Sequence, residues 1–394
     1  MSSKQKTVAV HAGTRLAGSK AVPVSPPIYP AAVNWFDSSD DLDSALDGKD
    51  YAYARISAPN TTLLEEAVAA LEGAEACVAY ASGMAALRSV FEAQGFKPGD
   101  RLVMPADGYG VTRALYKSLC ATLGVELHAL LMTDPEASAR IRELKPRMVL
   151  AESISNPLLR VPDLRVLARA CQDVGAAFVV DGTFPSPVGQ RALALGADYA
   201  VQSTSKWLNG HSDALGGTVS ASRERMAPLR AARVLAGDVL GPFEAWLTLR
   251  GLRTLPVRMK AHVEHAAHVA RRLTESPLLE RVIYPGLASH PDHATANALL
   301  LGGGPMVAFE IKGAGRAEGM RFLEALKVGR PGPSLGDVCT LVMHAASASA
   351  RRFTPEERAA AGIRENLIRV SVGLEDPDDI ADDLLAAVAQ GARR

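Results

Sequence analysis

Charge imbalance is absent from this 394-residue sequence: Lys+Arg and Asp+Glu are equal at 43 each. No net field therefore favours nucleic acid or an acidic membrane surface. Long apolar runs are absent too, since none approaches the ~18 residues a membrane helix needs. The opening MSSKQKTVAVHAGTR has no apolar core followed by a cleavage site, so no signal peptide is expected. Cysteine is scarce: Cys77, Cys120, Cys171 and Cys339 stand far apart and form no C-x-x-C pair. That argues against a structural metal and fits a reducing cytoplasm. Internal repeats, low-complexity tracts and H-x-x-x-H spacing are also missing, so no metal is expected.

What is present is ordinary globular composition, 48% hydrophobic and 22% charged. The length exceeds one simple core, so two domains are expected, divided at 56–242 (large) and 243–394 (small). Residues 1–50 show little helical or strand periodicity and several prolines (Pro23, Pro26, Pro27, Pro30). A segment of this kind, taken to residue 55, is expected to drape over another domain or subunit. Thr62 with Glu65 then reads as a capping box. Leu64, Ala67, Val68 and Leu71 form one apolar stripe, and Gly73 is a stop.

From there strands and helices alternate. Short buried strands are expected at 76–80, 101–104, 125–130, 147–151, 177–180 and 198–202. Amphipathic helices are expected at about 84–95, 111–123, 135–144 and 162–174. Such alternation predicts an α/β fold with a mostly parallel sheet and helices on both faces. Phe243–Leu273 reads as one long helical region. Strands near 306–311 and 367–372 and a closing helix near 379–390 complete a smaller C-terminal α/β part. Ligands bind beyond the carboxyl ends of strands in such sheets. Here Ser82-Gly83-Met84, Tyr109, Glu152 with Asn156, Asp181 and Lys206 each follow a strand.

Lys206, in VQSTSKWLNGHSDALGG at 201–217, is the most telling of these. A lysine at a buried strand end is costly to desolvate unless it is paired or used covalently. We read it as forming a Schiff base with pyridoxal phosphate. Asp181 would keep the ring nitrogen protonated so that the ring acts as an electron sink; alone it reads more readily as a helix cap or turn residue, and its place relative to Lys206 reverses that preference. Ser82, Gly83 and Met84 sit at a strand-to-helix junction that attracts phosphate or forms an ordinary tight turn. Ser203 and Ser205 add hydroxyls. Tyr109 would stack on a planar ring or is a half-buried surface tyrosine. Arg55, beside Tyr53, is available to a phosphate or simply solvated. Arg369, within LIRVSVG, would capture a substrate carboxylate or snorkel from an edge strand. His211 and Asp213 are expected to shape the loop after Lys206, and Gly302-Gly303-Gly304 to form a turn.

Together these residues resemble the Cys/Met-metabolism pyridoxal phosphate family, which includes cystathionine γ-synthase, γ-lyase and β-lyase, methionine γ-lyase and O-acetylhomoserine sulfhydrylase. The likeness runs through VHAGT at 10–14, PPIYP at 26–30, YAYAR at 51–55, ASGMAAL at 81–87, ESISNPLLRVPDL at 152–164, LRGLRTLPVRM at 249–259, SLGD at 334–337 and IRVSVGLEDPDDI at 368–380. It implies the aspartate-aminotransferase-type fold (fold type I) and a homotetramer of two active dimers. By matched position, Lys206 is the Schiff-base lysine, Asp181 the ring-nitrogen partner and Tyr109 the stacking residue. Ser82, Gly83, Met84, Ser203 and Ser205 would hold the phosphate, and Tyr53 and Arg55 would reach that of the neighbouring subunit. Asn156 and Arg369 would grip the substrate carboxylate, with Ser334 nearby.

The sequence departs from the family pattern at several places. Gly182 stands where Asn is usual, Ser205 where Thr is usual, and Ala58-Pro59-Asn60 where N-P-T is usual. HAASASA at 344–350 lacks the usual second histidine. Ala114 and Cys339 replace an arginine and a glutamate that shape the distal pocket in cystathionine-handling members, with Arg113 adjacent as a substitute. Val111 replaces the cysteine of methionine γ-lyases. Lys206 is expected to remove the Cα proton, a second proton then leaves Cβ, and Tyr109 assists at the leaving group. The favoured reading is γ-elimination from a sulfur amino acid. γ-Replacement on an O-acylhomoserine is the alternative, and a non-catalytic pyridoxal phosphate-binding relative a remote third. The expected partner is a small amino acid, not nucleic acid or a membrane.

Overall fold

The computed structural model of the protein describes residues 3–16 and 20–391, so positions 1–2 and 17–19 of the expected N-terminal segment lie outside the described residues. The strands, in chain order, are β1 (Ala76–Tyr80), β2 (Arg101–Pro105), β3 (Glu126–Leu130), β4 (Met148–Glu152), β5 (Ala177–Asp181), β6 (Tyr199–Gln202), β7 (Gly217–Ala221), β8 (Leu279–Ile283), β9 (Met306–Ile311), β10 (Arg330–Pro331), β11 (Leu341–His344) and β12 (Leu367–Ser371). Among the described residues, β1–β7 form a seven-stranded, mostly parallel sheet. β8–β12 form a five-stranded, mostly antiparallel one. The α/β class expected from the alternation is the class observed. The chain folds into two compact units, residues 1–93 with 200–256 and residues 94–199 with 257–394.

In the first unit, β7 lies antiparallel to both β1 and β6, with Val219 opposite Val78 on one side and Val201 on the other. β1 and β6 therefore run the same way and end at the same edge. Periodicity missed β7 because GTVSA is short, opens on glycine and alternates small polar residues, yet every residue in it is buried. Helix Pro59–Glu72 ends as expected, with Gly73 left-handed at φ 71° and its N–H bonded to Ala69 O. Its start is different. The helix begins at Pro59, whose fixed φ and missing N–H suit a first turn, so Thr62 is already inside it and no capping box forms. Glu65 turns inward instead: Oε1 accepts the Ala79 N–H at 2.9 Å and pairs with Arg233 at 3.0 Å.

The N-terminal segment is also more helical than its periodicity suggested. Ser3–His11 and Ser39–Leu46 are helices. The second is started by local polar chemistry rather than an apolar stripe: Ser38 Oγ accepts the Asp41 N–H at 3.1 Å, and Asp40 and Asp41 face the positive end of the dipole. Between them the chain is pinned to this unit's own helices. Asn60 bonds Tyr29 N and Pro27 O, and Trp246 Nε1 donates to Pro26 O at 2.8 Å.

In the second unit β5, β4, β2 and β3 run parallel in that order. Pro105, Glu152 and Asp181 consequently end at one edge. Around the five-stranded sheet lies an apolar core of fully buried side chains that includes Val307, Phe309, Phe322, Ile368, Val370 and Leu384. Phe309 and Phe322 meet edge-on, with centroids 5.7 Å apart; burying each such side chain stabilises by about 1.5–3 kcal/mol. The long helical region expected at Phe243–Leu273 is two helices, Pro242–Leu252 and Leu255–Thr274. Pro256 has no N–H to continue the first ladder and suits the opening of a second. No described helix is long and apolar enough to cross a membrane.

Candidate active site

The lysine turn belongs to the first unit. Directly after β6 the chain closes in short bonds: Lys206 N donates to Ser203 O at 3.2 Å and Gly210 N to Lys206 O at 2.8 Å. Trp207 and Leu208 are buried and anchor the turn, leaving Lys206 half-buried. Gly251 lets helix Pro242–Leu252 back directly onto it, because a Cβ there would lie 2.7 Å from Leu208 O. Gln202, the last residue of β6, is held by Glu72 at 2.8 Å.

Beside this turn three backbone segments come close enough to exclude side chains. A Cβ on Gly83 would meet Ser203 Cβ at 3.0 Å, and one on Gly217 would lie 2.6 Å from Gly83 Cα. Helix Gly83–Ala93 opens there, with its first-turn N–H groups outside the intrahelical ladder. Ser82 Oγ accepts the Ala85 N–H, and Ser205 Oγ accepts the Gly216 N–H at 2.9 Å. A helix N-terminus ringed by glycines and hydroxyls fits a phosphate. His211 and Asp213 are engaged with Asn209 in the following loop, through Asn209 O and Asn209 Nδ2, both at 2.8 Å. Gly302–Gly304 forms a turn with Gly302 and Gly304 left-handed.

Tyr53 and Arg55 are exposed on the same unit. The Arg55 guanidinium sits 5.3 Å over the Tyr53 ring and donates to Val234 O at 2.8 Å.

The second unit brings Tyr109, Glu152, Asn156, Asp181, Ser334 and Arg369 into linked sets. Arg369, on β12 and buried, donates to Asn156 Oδ1 at 3.0 Å and to Ser334 O at 2.7 Å. Phe184 lies against it, 5.9 Å from the ring centroid. Its Nε is buried with no hydrogen-bond partner among the described residues. A buried donor left over on a guanidinium fits a carboxylate ligand. Burial pulls the Arg369 pKa down to about 10.

Asp181 ends β5, with Oδ1 accepting the Thr183 N–H at 2.9 Å. Burial raises its pKa. A cationic ring nitrogen is the kind of neighbour that offsets such a cost, so the carboxylate fits the pyridine end of the cofactor. Tyr109, 37% exposed, starts helix Gly110–Leu123, and its N–H reaches Glu152 Oε1 at 2.6 Å. In the sequence Glu152 is marked only by its strand end. Its two-handed bonding is visible only in three dimensions.

The residues expected to shape the distal pocket are arranged differently. Arg113 is held by Glu357 at 3.1 Å and lies 5.3 Å over the Phe353 ring. Cys339 is exposed, with its N–H on Asp337 Oδ1. Val111 and Ala114 lie on helix Gly110–Leu123.

One unit carries a lysine after a strand end beside a glycine-lined helix N-terminus, and the other a buried carboxylate, a tyrosine and a buried arginine at or near strand ends; these residue types fit cofactor-dependent α/β enzymes that handle amino acids. The model of the Cys/Met metabolism PLP-dependent enzymes matches residues 6–389, and the chain belongs to that family. It is 38% identical over 385 residues to L-methionine γ-lyase from Fusobacterium nucleatum subsp. polymorphum, covering 96% of each chain. It is 38% identical over 337 residues to O-succinylhomoserine sulfhydrylase from Pseudomonas aeruginosa, covering 86% of this chain and 83% of the relative. A solved structure of cystathionine γ-synthase from Xanthomonas oryzae pv. oryzae in complex with cystathionine superposes with TM-score 0.92 at 39% identity, covering 98% of both chains. The protein is a pyridoxal phosphate-dependent enzyme of the trans-sulfuration type.

Proposed function

We propose that the enzyme catalyses γ-elimination from a sulfur amino acid, consuming water and releasing 2-oxobutyrate, ammonia and a thiol. The observation that carries an α-amino acid substrate is Arg369: a buried guanidinium oriented by Asn156 and Ser334, with Nε left for a carboxylate. The distal end favours a short uncharged thioether. Arg113 is committed to Glu357, and Ala114 and Cys339 bring no charge.

Pyridoxal phosphate, when bound, supplies an electron sink for the pair left at the substrate α-carbon. Lys206 would hold it covalently. Ser82, Gly83, Met84, Ser203 and Ser205 would hold its phosphate, and Asp181 would keep its ring nitrogen protonated. The Lys206 amine takes the proton from the substrate α-carbon, and a second proton is then lost from the β-carbon. Tyr109 would lie against the cofactor's ring and deliver a proton to the departing sulfur.

γ-Replacement on an O-acylhomoserine uses the same residues, and the likeness to a sulfhydrylase and a γ-synthase favours it as the second reading. The two separate by product. Methionine, cystathionine, homocysteine and an O-acylhomoserine are incubated with the enzyme, with and without added thiol, and 2-oxobutyrate is assayed. Oxo acid from a thioether without added thiol is the expected result; product only from acylhomoserine plus thiol identifies the synthase. Lys206→Ala should abolish turnover and the cofactor's bound absorbance, and full activity in that variant would sink the assignment.

We further propose a cytoplasmic homotetramer of two active dimers, in which the segment 1–55 carries Tyr53 and Arg55 to the neighbour's phosphate. Residues 56–242 would act as the large cofactor domain and 243–394 as the small one. Support comes from apolar side chains left in water by the single chain: Val24 is 89% exposed and Trp35 84%.

A further inference from the structure

We propose that Glu152 is a positioning residue that sets the separation between the ring-stacking loop and the carboxylate-gripping loop, using one carboxylate oxygen for each. Oε1 accepts the Tyr109 N–H at 2.6 Å, and Oε2 accepts the Asn156 N–H at 3.0 Å. Asn156 in turn holds Arg369 through its side chain at 3.0 Å. A single chain of contacts thus runs from the Tyr109 backbone through Glu152 and Asn156 to the Arg369 guanidinium. Gly108 makes room for it: a Cβ there would lie 3.0 Å from Oε1.

The chemistry explains why a carboxylate stands here at all. Glu152 is 7% exposed and pairs in register with Asp181 across β4 and β5. Burial and the Asp181 charge both raise its pKa well above the ordinary value, so the site is an expensive one for an acid. A glutamine of the same size would be cheaper if one bond sufficed. Both partners, however, are N–H donors. Only a carboxylate presents acceptors on both sides; an amide would turn its own NH₂ toward one of them.

A second tie joins the same two loops without Glu152. Ser155 Oγ donates to Asp107 Oδ2 at 2.8 Å, and Arg160 Nη1 approaches that oxygen at 3.5 Å. Loss of Glu152's bonds should therefore misplace Tyr109 and Asn156 without unfolding the strand ends.

The proposal rests on the roles given above to Tyr109 and Arg369, so its test begins without cofactor. Residue-resolved hydrogen exchange on cofactor-free Glu152→Gln should show the Tyr109 or Asn156 amide exchanging about tenfold faster or more, with β4 amides unchanged. With cofactor, KM for the amino acid should rise about tenfold with a smaller change in kcat, and the visible circular dichroism of the bound cofactor should shift. Wild-type exchange at both amides, or unchanged KM and dichroism, overturns the proposal. If Glu152→Gln does not fold, Gly108→Ala serves. Its Cβ presses on Oε1, so faster exchange is expected at Tyr109 and not at Asn156, and equal exchange at both overturns the assignment. A wild-type enzyme that binds no cofactor would instead refute the functional reading and leave the exchange result standing.

Discussion

Asp181 is a carboxylate held where its charge is costly. Burial raises its pKa above the ordinary 3.8. A group whose folded pKa is raised contributes stability that is full below the ordinary carboxylate range and is lost as pH rises through the folded value. Asp181's contribution to the stability of the cofactor-free enzyme should thus be lost as pH rises from about 4 through its raised folded value. Asp181→Asn removes that loss. In calorimetry, cofactor-free Asp181→Asn should melt higher than the wild type at pH 7 and no higher at pH 3.5, while the cofactor-loaded variant loses turnover. A lower Tm at pH 7 would mean that the charge is already offset within the chain. The residue was legible in the sequence because an apolar strand, AAFVVD, stops on it. Glu152 ends β4 in the same way, but its partners Tyr109 and Asn156 belong to loops after two different strands.

Elements show where local signals compete with tertiary ones. Thr62 and Glu65 have the spacing of a capping box, yet a buried arginine outbids the local bond: Glu65 serves Arg233 and Ala79, and Pro59 starts the helix. The Thr354–Glu357 box on helix Pro355–Ala361 does form, and its glutamate also holds Arg113 and Lys117. Lys117 and the other donors pull the Glu357 pKa down to about 2. A depressed carboxylate stabilises above its ordinary value of 4.5 and loses that contribution as pH falls toward 2. Glu357→Gln should therefore cost about 1 kcal/mol at pH 7, reduced by solvent screening, and almost nothing at pH 2. Denaturant melts at the two pH values check this; an equal cost at both would leave the cap, not the charges, as the cause. The same variant frees Arg113, and a gain of activity on a substrate with a distal carboxylate would identify Glu357 as what withholds that arginine.

At the scale of the whole molecule, the first unit leaves Val24, Trp35 and Leu235 facing water, at 89%, 84% and 87% exposure. In the proposed tetramer, a neighbouring subunit would cover such side chains. Trp35→Glu should lower the assembly mass in sedimentation relative to the wild type, and an unchanged mass would remove this segment from the interface. The sequence by itself determined the class of fold, the cofactor and the strand-end residues. Strand periodicity, small-residue junctions and a lysine just past an apolar strand are local features, each readable within a few residues. Tertiary structure alone decided the partners: that β7 lies between β1 and β6, that Glu65 abandons its helix cap, that Arg113 is spent on Glu357, and that one carboxylate ties Tyr109 to Asn156. A hydrogen bond or an ion pair depends on where two distant stretches meet, and neither stretch carries that distance in its own residues.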